Sequence, residues 1–314
     1  CAAVASCLSD LNTEVRLAAL SAFASVVPFG GYDHLHDILQ CFGSSEDVNT
    51  KVLEVVSKIL GRGDLRAIEL IASQLESDSG YMRQAAILIL PGLITRNSVE
   101  GVGAIAARLA HPNHKVREAA MEALVQSIPA DDDVSLEAIA ELLDHDLDEV
   151  KQCAVHVLGR LGESSRSNSD SCHTPGEARD GDGPSAAACV VLQRLDHDSA
   201  AVREAVVAAV VSCCGRGSTW GHQALLQLTR DADDRVRAAS FRALIDATGR
   251  GGASTDASEA IATGMLGLQD LAPQVRCAAL ELLAALAPSG CTVALEAAKI
   301  LLCDVDYEVR AEAQ

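Results

Sequence analysis

The sequence of 314 residues has few aromatic residues and no long apolar run. Tryptophan, tyrosine and phenylalanine together make up 3% of the chain, and the apolar 49% is dominated by alanine, valine and leucine. This composition suits close packing of helices and leaves no β-rich segment, so the expected class is all-α. The longest apolar runs, such as residues 85–94, fall short of the roughly 20 residues that a membrane-spanning helix requires. We therefore expect no membrane span.

Basic residues are scarce relative to acidic ones. The chain has 25 lysine and arginine residues against 44 aspartate and glutamate residues, which gives a net charge of −19 and a pI near 4.8. A negative field of this kind repels phosphate backbones and anionic lipid surfaces. Neither nucleic acid nor a membrane is expected as a direct partner.

Motifs that carry chemistry are also missing. The eleven cysteines form no C-x-x-C pair and occupy mostly apolar helix positions, which predicts reduced thiols in a cytoplasmic or nuclear protein. The sequence contains no P-loop, no G-x-S-x-G elbow and no H-E-x-x-H motif. We therefore predict no catalytic, cofactor-binding or metal-binding residues.

A repeated sequence motif extends along the chain, and its clearest copy is DADDRVRAASFRAL, residues 231–244. Asp231 and Asp233 can accept hydrogen bonds at a helix start, while Val236 and Phe241 recur at helical spacing. Half of the eight steps between copies are 34 residues long, and one step, from Val150 to Val202, is 52 residues. The aligned positions are Val15, Val52, Met82, Val116, Val150, Val202, Val236, Val275 and Val309.

A helical period in the thirties is typical of an α-solenoid, in which neighbouring units supply the core that no single unit can form. We predict a right-handed α-solenoid of eight to nine helical pairs, with inner helices of about fourteen residues separated by outer helices. Residues 1–314 are expected to form one such domain and to be a piece of a longer chain. The long step contains a segment rich in serine, glycine and aspartate, residues 163–184, which we predict to be a flexible loop.

Positions within the inner helices differ in polarity. Residues four and eight positions after the aligned valine are small or apolar, so we predict that they are buried. Residues two and six positions after it are mostly polar and should form an exposed stripe on the inner surface. The candidate partner-binding residues of this stripe are Glu118, Glu122, Gln152, His156, Glu204, Arg242 and Glu281.

The paired helices, with a turn aspartate and a V-R-x-A-A opening of the second helix, resemble the HEAT repeat. The resemblance is plainest at VREAA (116–120), VRAAS (236–240) and VRCAA (275–279). It is to the short, alanine-rich HEAT type that also occurs in bilin-lyase-like proteins. It implies an armadillo-like helical scaffold that binds proteins along its concave inner helices.

Charged residues recur in phase with the repeat and have two interpretations. They could form a binding ladder, or the arginines could bridge to the turn of the next unit, as the HEAT resemblance implies. We favour the structural ladder, because nearest-neighbour packing requires residues that recur with the period. The acidic residues of this set are Asp10, Asp47, Asp231, Asp270 and Asp304. The basic residues are Arg16, Arg83, Arg117, Lys151, Arg203, Arg237, Arg276 and Arg310.

Two turns, at 144–146 and 196–198, have the sequence Asp-His-Asp and contain residue types that bind metals. Deoxyhypusine hydroxylases are HEAT-type proteins with a di-iron site, but they use His-Glu dipeptides, and no histidine here precedes a glutamate. Helix capping is therefore the preferred role of His145 and His197. The acidic run 131–133 is predicted to be a solvated loop that caps the following helix, with attraction of a basic partner as the alternative.

The sequence thus predicts a non-enzymatic scaffold that binds a basic or mixed-charge protein along the stripe. The alternative is a HEAT-type metalloenzyme or lyase, similar to deoxyhypusine hydroxylase or to bilin lyases.

Overall fold

The protein is described here from a computed structural model that covers residues 2–169, 184–214, 217–248, 255–288 and 291–314. Within these ranges the secondary structure consists of α-helices and short 3-10 helices, without any β-strand. The helices are numbered α1 to α18 in chain order. The predicted all-α class is confirmed.

Inner and outer helices alternate along the chain, as the repeat predicts. The inner helices are α2 (Thr13–Val26), α4 (Glu46–Ile59), α6 (Gly80–Leu93), α8 (His114–Ser127), α10 (Asp148–Ser169), α12 (Ala200–Cys214), α14 (Asp234–Thr248), α16 (Pro273–Leu286) and α18 (Tyr307–Glu312). The outer helices are α1 (Ala2–Cys7), α3 (Leu35–Gln40), α5 (Leu65–Ala72), α7 (Val99–Ala106), α9 (Asp133–Ala140), α11 (Ala186–Leu192), α13 (Thr219–Leu228), α15 (Thr255–Gly267) and α17 (Thr292–Leu301).

The contacts divide the chain into two compact units, which we describe separately. Unit 1 comprises Cys1–Ile139 and Leu147–Cys153, and unit 2 comprises Ala140–Asp146 and Ala154–Gln314. In unit 1 the inner helices α2, α4, α6 and α8 pack in sequence, with α5 and α7 neighbouring each other on the outer side. In unit 2 the helices α12, α14, α16 and α18 pack in sequence, and α13 neighbours α15. That one solenoid spans the whole chain stays a prediction.

The inner helices end where the sequence indicates. Helices α2, α8 and α16 each end two residues before a proline, because proline cannot continue the helical hydrogen-bond pattern. These prolines are Pro28, Pro129 and Pro288. Most inner helices have 14 or 15 residues, as predicted. Helix α10 is longer, with 22 residues, and it includes the first seven residues of the segment predicted to be a loop, 163–169. The rest of that segment up to residue 183 lies outside the described residues.

The buried layers follow the predicted register. Every residue eight positions after an aligned valine is at most 4% exposed, from Phe23 in α2 to Leu283 in α16. In the first eight repeats the residues four positions after it are mostly small and at most 5% exposed, and they include Ser240, whose hydroxyl donates to the Val236 carbonyl at 2.7 Å. Large and small side chains therefore alternate on the faces through which neighbouring inner helices pack.

Consecutive inner helices are also joined by backbone hydrogen bonds that involve residues with positive φ. The N–H of Gly30 donates to the carbonyl of Ile59 at 2.8 Å, and the N–H of Gly63 donates to that of Leu93 at 2.7 Å. In unit 2 the N–H of Gly217 donates to the carbonyl of Ala247 at 2.9 Å. All three glycines have φ between 75° and 78°. The left-handed conformation directs each N–H to a free carbonyl at the end of the next inner helix, and only glycine adopts it without a steric cost.

Truncation of a central apolar residue tests the helix register. Leu124 is fully buried, so Leu124→Ala should lower the free energy of unfolding by roughly 2 to 5 kcal/mol through lost burial and a cavity. The exposed Gln126 on the same helix provides the control, because Gln126→Ala should change it by less than about 0.5 kcal/mol. Urea melts of the two variants measure both values. Equal losses would show that the register of α8 is wrong.

Two glycine substitutions should change stability in opposite directions. Gly63→Ala places a side chain at φ 76° and should cost about 1 to 2 kcal/mol. Gly103 is exposed in α7, where an added Cβ meets nothing within 4 Å, so Gly103→Ala should stabilise the protein by about 0.5 to 1 kcal/mol. Thermal melts compare the two, and a stabilising Gly63→Ala would contradict the role given to the left-handed turn.

Candidate interaction surface

The predicted stripe residues are all accessible to solvent. Glu118, Gln152, His156, Glu204 and Arg242 are exposed, and Glu122 and Glu281 are half-buried. They are divided between the two units, with Glu118, Glu122 and Gln152 in unit 1 and the other four in unit 2. The stripe therefore has one part in each unit.

The carboxylates on the inner helices differ in how far they are neutralised. Glu54 on α4 accepts hydrogen bonds from Lys58 at 2.7 Å and from Lys51 at 2.9 Å, which lower the pKa of its carboxyl to about 2. Glu281 pairs with Arg242 of the stripe, whose Nε donates to Oε2 at 2.9 Å. These two carboxylates are therefore compensated by neighbouring cations.

Two stripe carboxylates are not compensated in this way. Glu118 on α8 and Glu204 on α12 are exposed and have no hydrogen-bond or ion-pair partner among the described residues. Glu122 accepts a hydrogen bond from the side-chain amide of Gln126 at 2.8 Å, which leaves its charge in place. The side chains at 201 and 208 of α12, next to Glu204, are exposed alanines, so a partner could approach the helix closely there.

The charged ladder is structural in unit 2. The Nε and Nη2 atoms of Arg203 donate to the two carboxylate oxygens of Asp231 at 2.7 and 2.8 Å. Arg237 pairs in the same way with Asp270 at 2.8 and 2.9 Å. Arg276 pairs with Asp304 at 2.9 and 2.7 Å. We call each of these bidentate pairs between consecutive turns a rung.

Each rung arginine also holds its own turn. The Nη1 atom of Arg237 donates to the carbonyls of Asp231 and Ala232, which lie six and five residues earlier, at 2.8 and 3.0 Å. Asp231 in turn accepts a hydrogen bond from the N–H of Asp233 at 2.8 Å. The interpretation of these residues as a structural ladder is confirmed for the three rungs of unit 2.

Other ladder residues depart from the prediction. Asp47 was expected in a turn, but it lies in the first turn of α4, and Ser45 caps that helix instead. Lys151 bonds to Asp148 of its own helix at 3.1 Å and forms no rung. Arg16 holds its own turn through the carbonyls of Asp10 and Leu11. Helix α4 begins six residues before its aligned Val52, whereas α2 begins two residues before Val15, so Asp47 lies inside the helix.

Histidines replace the turn aspartate in several repeats. The Nδ1 atom of His197 accepts a hydrogen bond from the N–H of Ser199 at 3.1 Å, and His111 accepts one from Asn113 at the same distance. His197 therefore stabilises the turn before α12 (Ala200–Cys214), and its capping of the helix itself stays a prediction. His145 lies half-buried in the corresponding turn. Within the described ranges, no three histidine, cysteine, aspartate or glutamate side chains are grouped to hold a metal ion.

The acidic run 131–133 is more structural than the sequence suggests. Asp132 is only 1% exposed, so the prediction of a solvated loop is wrong for this residue. It accepts hydrogen bonds from the N–H of Asn97 at 2.9 Å and from the hydroxyl of Ser135 at 2.8 Å. Burial by itself raises the pKa of the Asp132 carboxyl, but these bonds outweigh it and the pKa lies below its ordinary value. The predicted capping of α9 is confirmed by the bond from the Ser135 N–H.

A polar groove of about 850 Å³ lies on the turn side of unit 2. Its walls come from the turns 195–198 and 230–232 and from helices α13 and α15. The Arg203–Asp231 rung forms part of its lining, whereas no stripe residue does. The groove is therefore separate from the stripe. In the described part of the chain, no helix is long and apolar enough to cross a membrane.

No protein-family model and no curated protein matches the chain. An engineered protein of known structure is 19% identical, with a TM-score of 0.36 over 99% of this chain and 86% of its own. Human deoxyhypusine hydroxylase in complex with glycerol is 17% identical, with a TM-score of 0.32 over 96% and 95%. A structure of Kap95p bound to RanGDP is 14% identical, with a TM-score of 0.35 over 99% of this chain and 49% of that chain. Similarities at this level carry no argument about a site or a function.

The rungs should make stability depend on pH. Burial by itself raises the pKa of the Asp270 carboxyl. The hydrogen bonds from Arg237 and from the Ala272 N–H outweigh burial, so the pKa lies below its ordinary value. The stabilisation that ionised Asp270 provides is therefore complete above its pKa in the unfolded state, about 4. It is lost as the pH falls through the lower pKa of the folded state. Asp270→Asn should lower the free energy of unfolding by roughly 1 to 3 kcal/mol at pH 7. This deficit, the difference in free energy of unfolding between Asp270→Asn and the unmodified protein, should become smaller as the pH falls.

Urea melts at pH 7 and at successively lower pH measure this deficit. The exposed Asp246 on α14 has no bonded partner among the described residues, and Asp246→Asn serves as the control with no deficit expected. A deficit for Asp270→Asn that stayed constant with pH would exclude ionisation of the rung as its cause.

Proposed function

We propose that the protein is a non-enzymatic scaffold of the HEAT type that binds a basic or mixed-charge protein partner through its inner-helix stripe. The observation that carries the proposal is a pair of exposed carboxylates on inner helices that have no bonded partner among the described residues, Glu118 in unit 1 and Glu204 in unit 2. Ion pairs that compensate carboxylates elsewhere, at Glu54 and Glu281, are missing at these two positions. A partner that supplies lysine or arginine would compensate them.

The packing of the inner helices supports this choice of surface. The opposite face of α8 is committed to the core through Val116, Ala120 and Leu124, which are at most 1% exposed. In α12 the same positions, Val202, Val206 and Val210, are equally buried. The stripe is therefore the side of each helix that remains accessible, and it is held on a rigid element whose opposite face cannot move without loss of the core.

The charge of the stripe sets the kind of association. Exposed carboxylates attract a basic partner over a distance and accelerate its encounter with the protein more than they strengthen the final complex. Salt screens such attraction, since the Debye length is about 8 Å at physiological ionic strength. We therefore propose binding that weakens as salt increases, in the cytoplasm or the nucleus.

Charge reversal tests the stripe. A 15-residue peptide selected by binding to the purified protein serves as the probe, and its affinity is measured by calorimetry at low and high salt. Glu118→Lys, Glu122→Lys and Glu204→Lys combined should weaken binding by about tenfold or more, the equivalent of roughly 1.4 kcal/mol, and reduce its salt dependence. The far-ultraviolet circular dichroism should not change, because all three side chains are accessible to solvent.

A second triple variant controls for net charge. Glu100→Lys, Glu141→Lys and Glu259→Lys change the net charge equally at exposed positions outside the stripe. This variant should retain most of the affinity. Equal losses in the two variants would mean that the overall field, and not the stripe, governs binding.

A further inference from the structure

Two ladder arginines of unit 1 are anchored like the rung arginines of unit 2 but hold no carboxylate. The Nη1 atom of Arg83 donates to the carbonyls of Ser77 and Asp78 at 2.6 and 3.1 Å. That of Arg117 donates to the carbonyls of His111 and Pro112, both at 2.9 Å. Their Nε and Nη2 atoms have no acceptor among the described residues and are not buried. We call Arg83 and Arg117 the open arginines.

The rungs of unit 2 show which group fits this edge of the guanidinium. Arg203, Arg237 and Arg276 are anchored through Nη1 to carbonyls six and five residues earlier, as the open arginines are. All three direct Nε and Nη2 at the two oxygens of one carboxylate. Because the guanidinium is planar, the bonds of Nη1 fix the orientation of the Nε–Nη2 edge. The open arginines are therefore already oriented for a carboxylate.

The turn that follows Arg83 explains why its edge is open. His111 occupies the position of the rung aspartate, and its Nδ1 atom accepts the N–H of Asn113. In the neutral ring the proton then lies on Nε2, so the remaining nitrogen is a donor. The exposed Lys115 adds a positive charge, and Asp78 is the one acidic side chain in the turns 77–79 and 111–113. Around Arg83, these two turns thus present more side-chain donors than carboxylate acceptors.

The spacing of the two arginines restricts the ligand. Helices α6 and α8 pack as neighbours, and packed helices lie about 8 to 10 Å apart. A polyproline II segment has three residues per turn and rises about 3.1 Å per residue, so side chains three positions apart point the same way at about 9 Å. We propose that the turn edge of unit 1 binds an extended acidic segment of a protein partner, with two carboxylates three residues apart held by Arg83 and Arg117.

This surface differs in position and charge from the inner-helix stripe, so the two inferences stand or fall separately. A fluorescent peptide containing Asp-Pro-Pro-Asp between glycines is the probe, and its Asn-Pro-Pro-Asn analogue is the reference. Fluorescence anisotropy with the full chain should show about tenfold or tighter binding of the aspartate peptide, as expected for charge-assisted bonds. Arg83→Gln and Arg117→Gln should each remove most of this preference. Arg62→Gln, an equal charge change at an exposed arginine of unit 1, should not.

A variant that fills the site from within provides a test that does not remove an arginine. His111→Asp places a carboxylate where Asp231, Asp270 and Asp304 stand in unit 2. It should raise the urea midpoint by completing a rung, and it should lower the affinity for the aspartate peptide to the level of Arg83→Gln.

Three outcomes would overturn the proposal: equal binding of the two peptides, an unchanged preference in His111→Asp, or displacement of the aspartate peptide by inorganic phosphate at lower concentration than by acetate.

Discussion

The turns of unit 2 depend on one interaction, the bidentate contact between a guanidinium and the aspartate of the next turn. Asp270 shows the arrangement: Arg237 binds its two carboxylate oxygens, while Arg276 binds its backbone carbonyl through Nη1 at 2.9 Å. One turn is thereby held by arginines from two successive inner helices. Since each contact joins neighbouring repeats only, stability accumulates unit by unit, as expected for a stack without a central core.

Contacts at both edges of the stacked inner helices join neighbouring repeats, and the two edges use different chemistry. At the starts of the inner helices of unit 2, three arginine–aspartate pairs join consecutive turns, and these contacts weaken in acid because they require ionised aspartate. At the end, backbone groups of residues such as Gly30 and Gly63 bond to the next helix, and these contacts do not titrate. Asn97 combines the two, because its N–H bonds to the buried carboxylate of Asp132. Acid should therefore loosen the first edge before the second.

The sequence predicts what repeats with the period and misses what does not. Buried positions such as Leu124 and Ser240 were predictable because every unit packs against equivalent neighbours. The backbone contacts were not, since a glycine at positive φ has no sequence signal that distinguishes it from a glycine in an ordinary turn. Asp132 was mistaken for a solvated residue because burial of one carboxylate within an acidic run depends on donors 35 residues away. The pairing of Arg242 with Glu281 likewise required the register between two helices.

The same reasoning explains why the candidate surfaces lie where the repeat is imperfect. Where both residues of a recurring pair are present, they bond to each other across neighbouring units, as the three rungs of unit 2 show. Functional groups become available where one partner of a recurring pair changes: His111 replaces an aspartate and leaves Arg83 open, and no cation accompanies Glu118 as Lys58 accompanies Glu54. Both proposed binding surfaces of this chain therefore depend on departures from its periodicity.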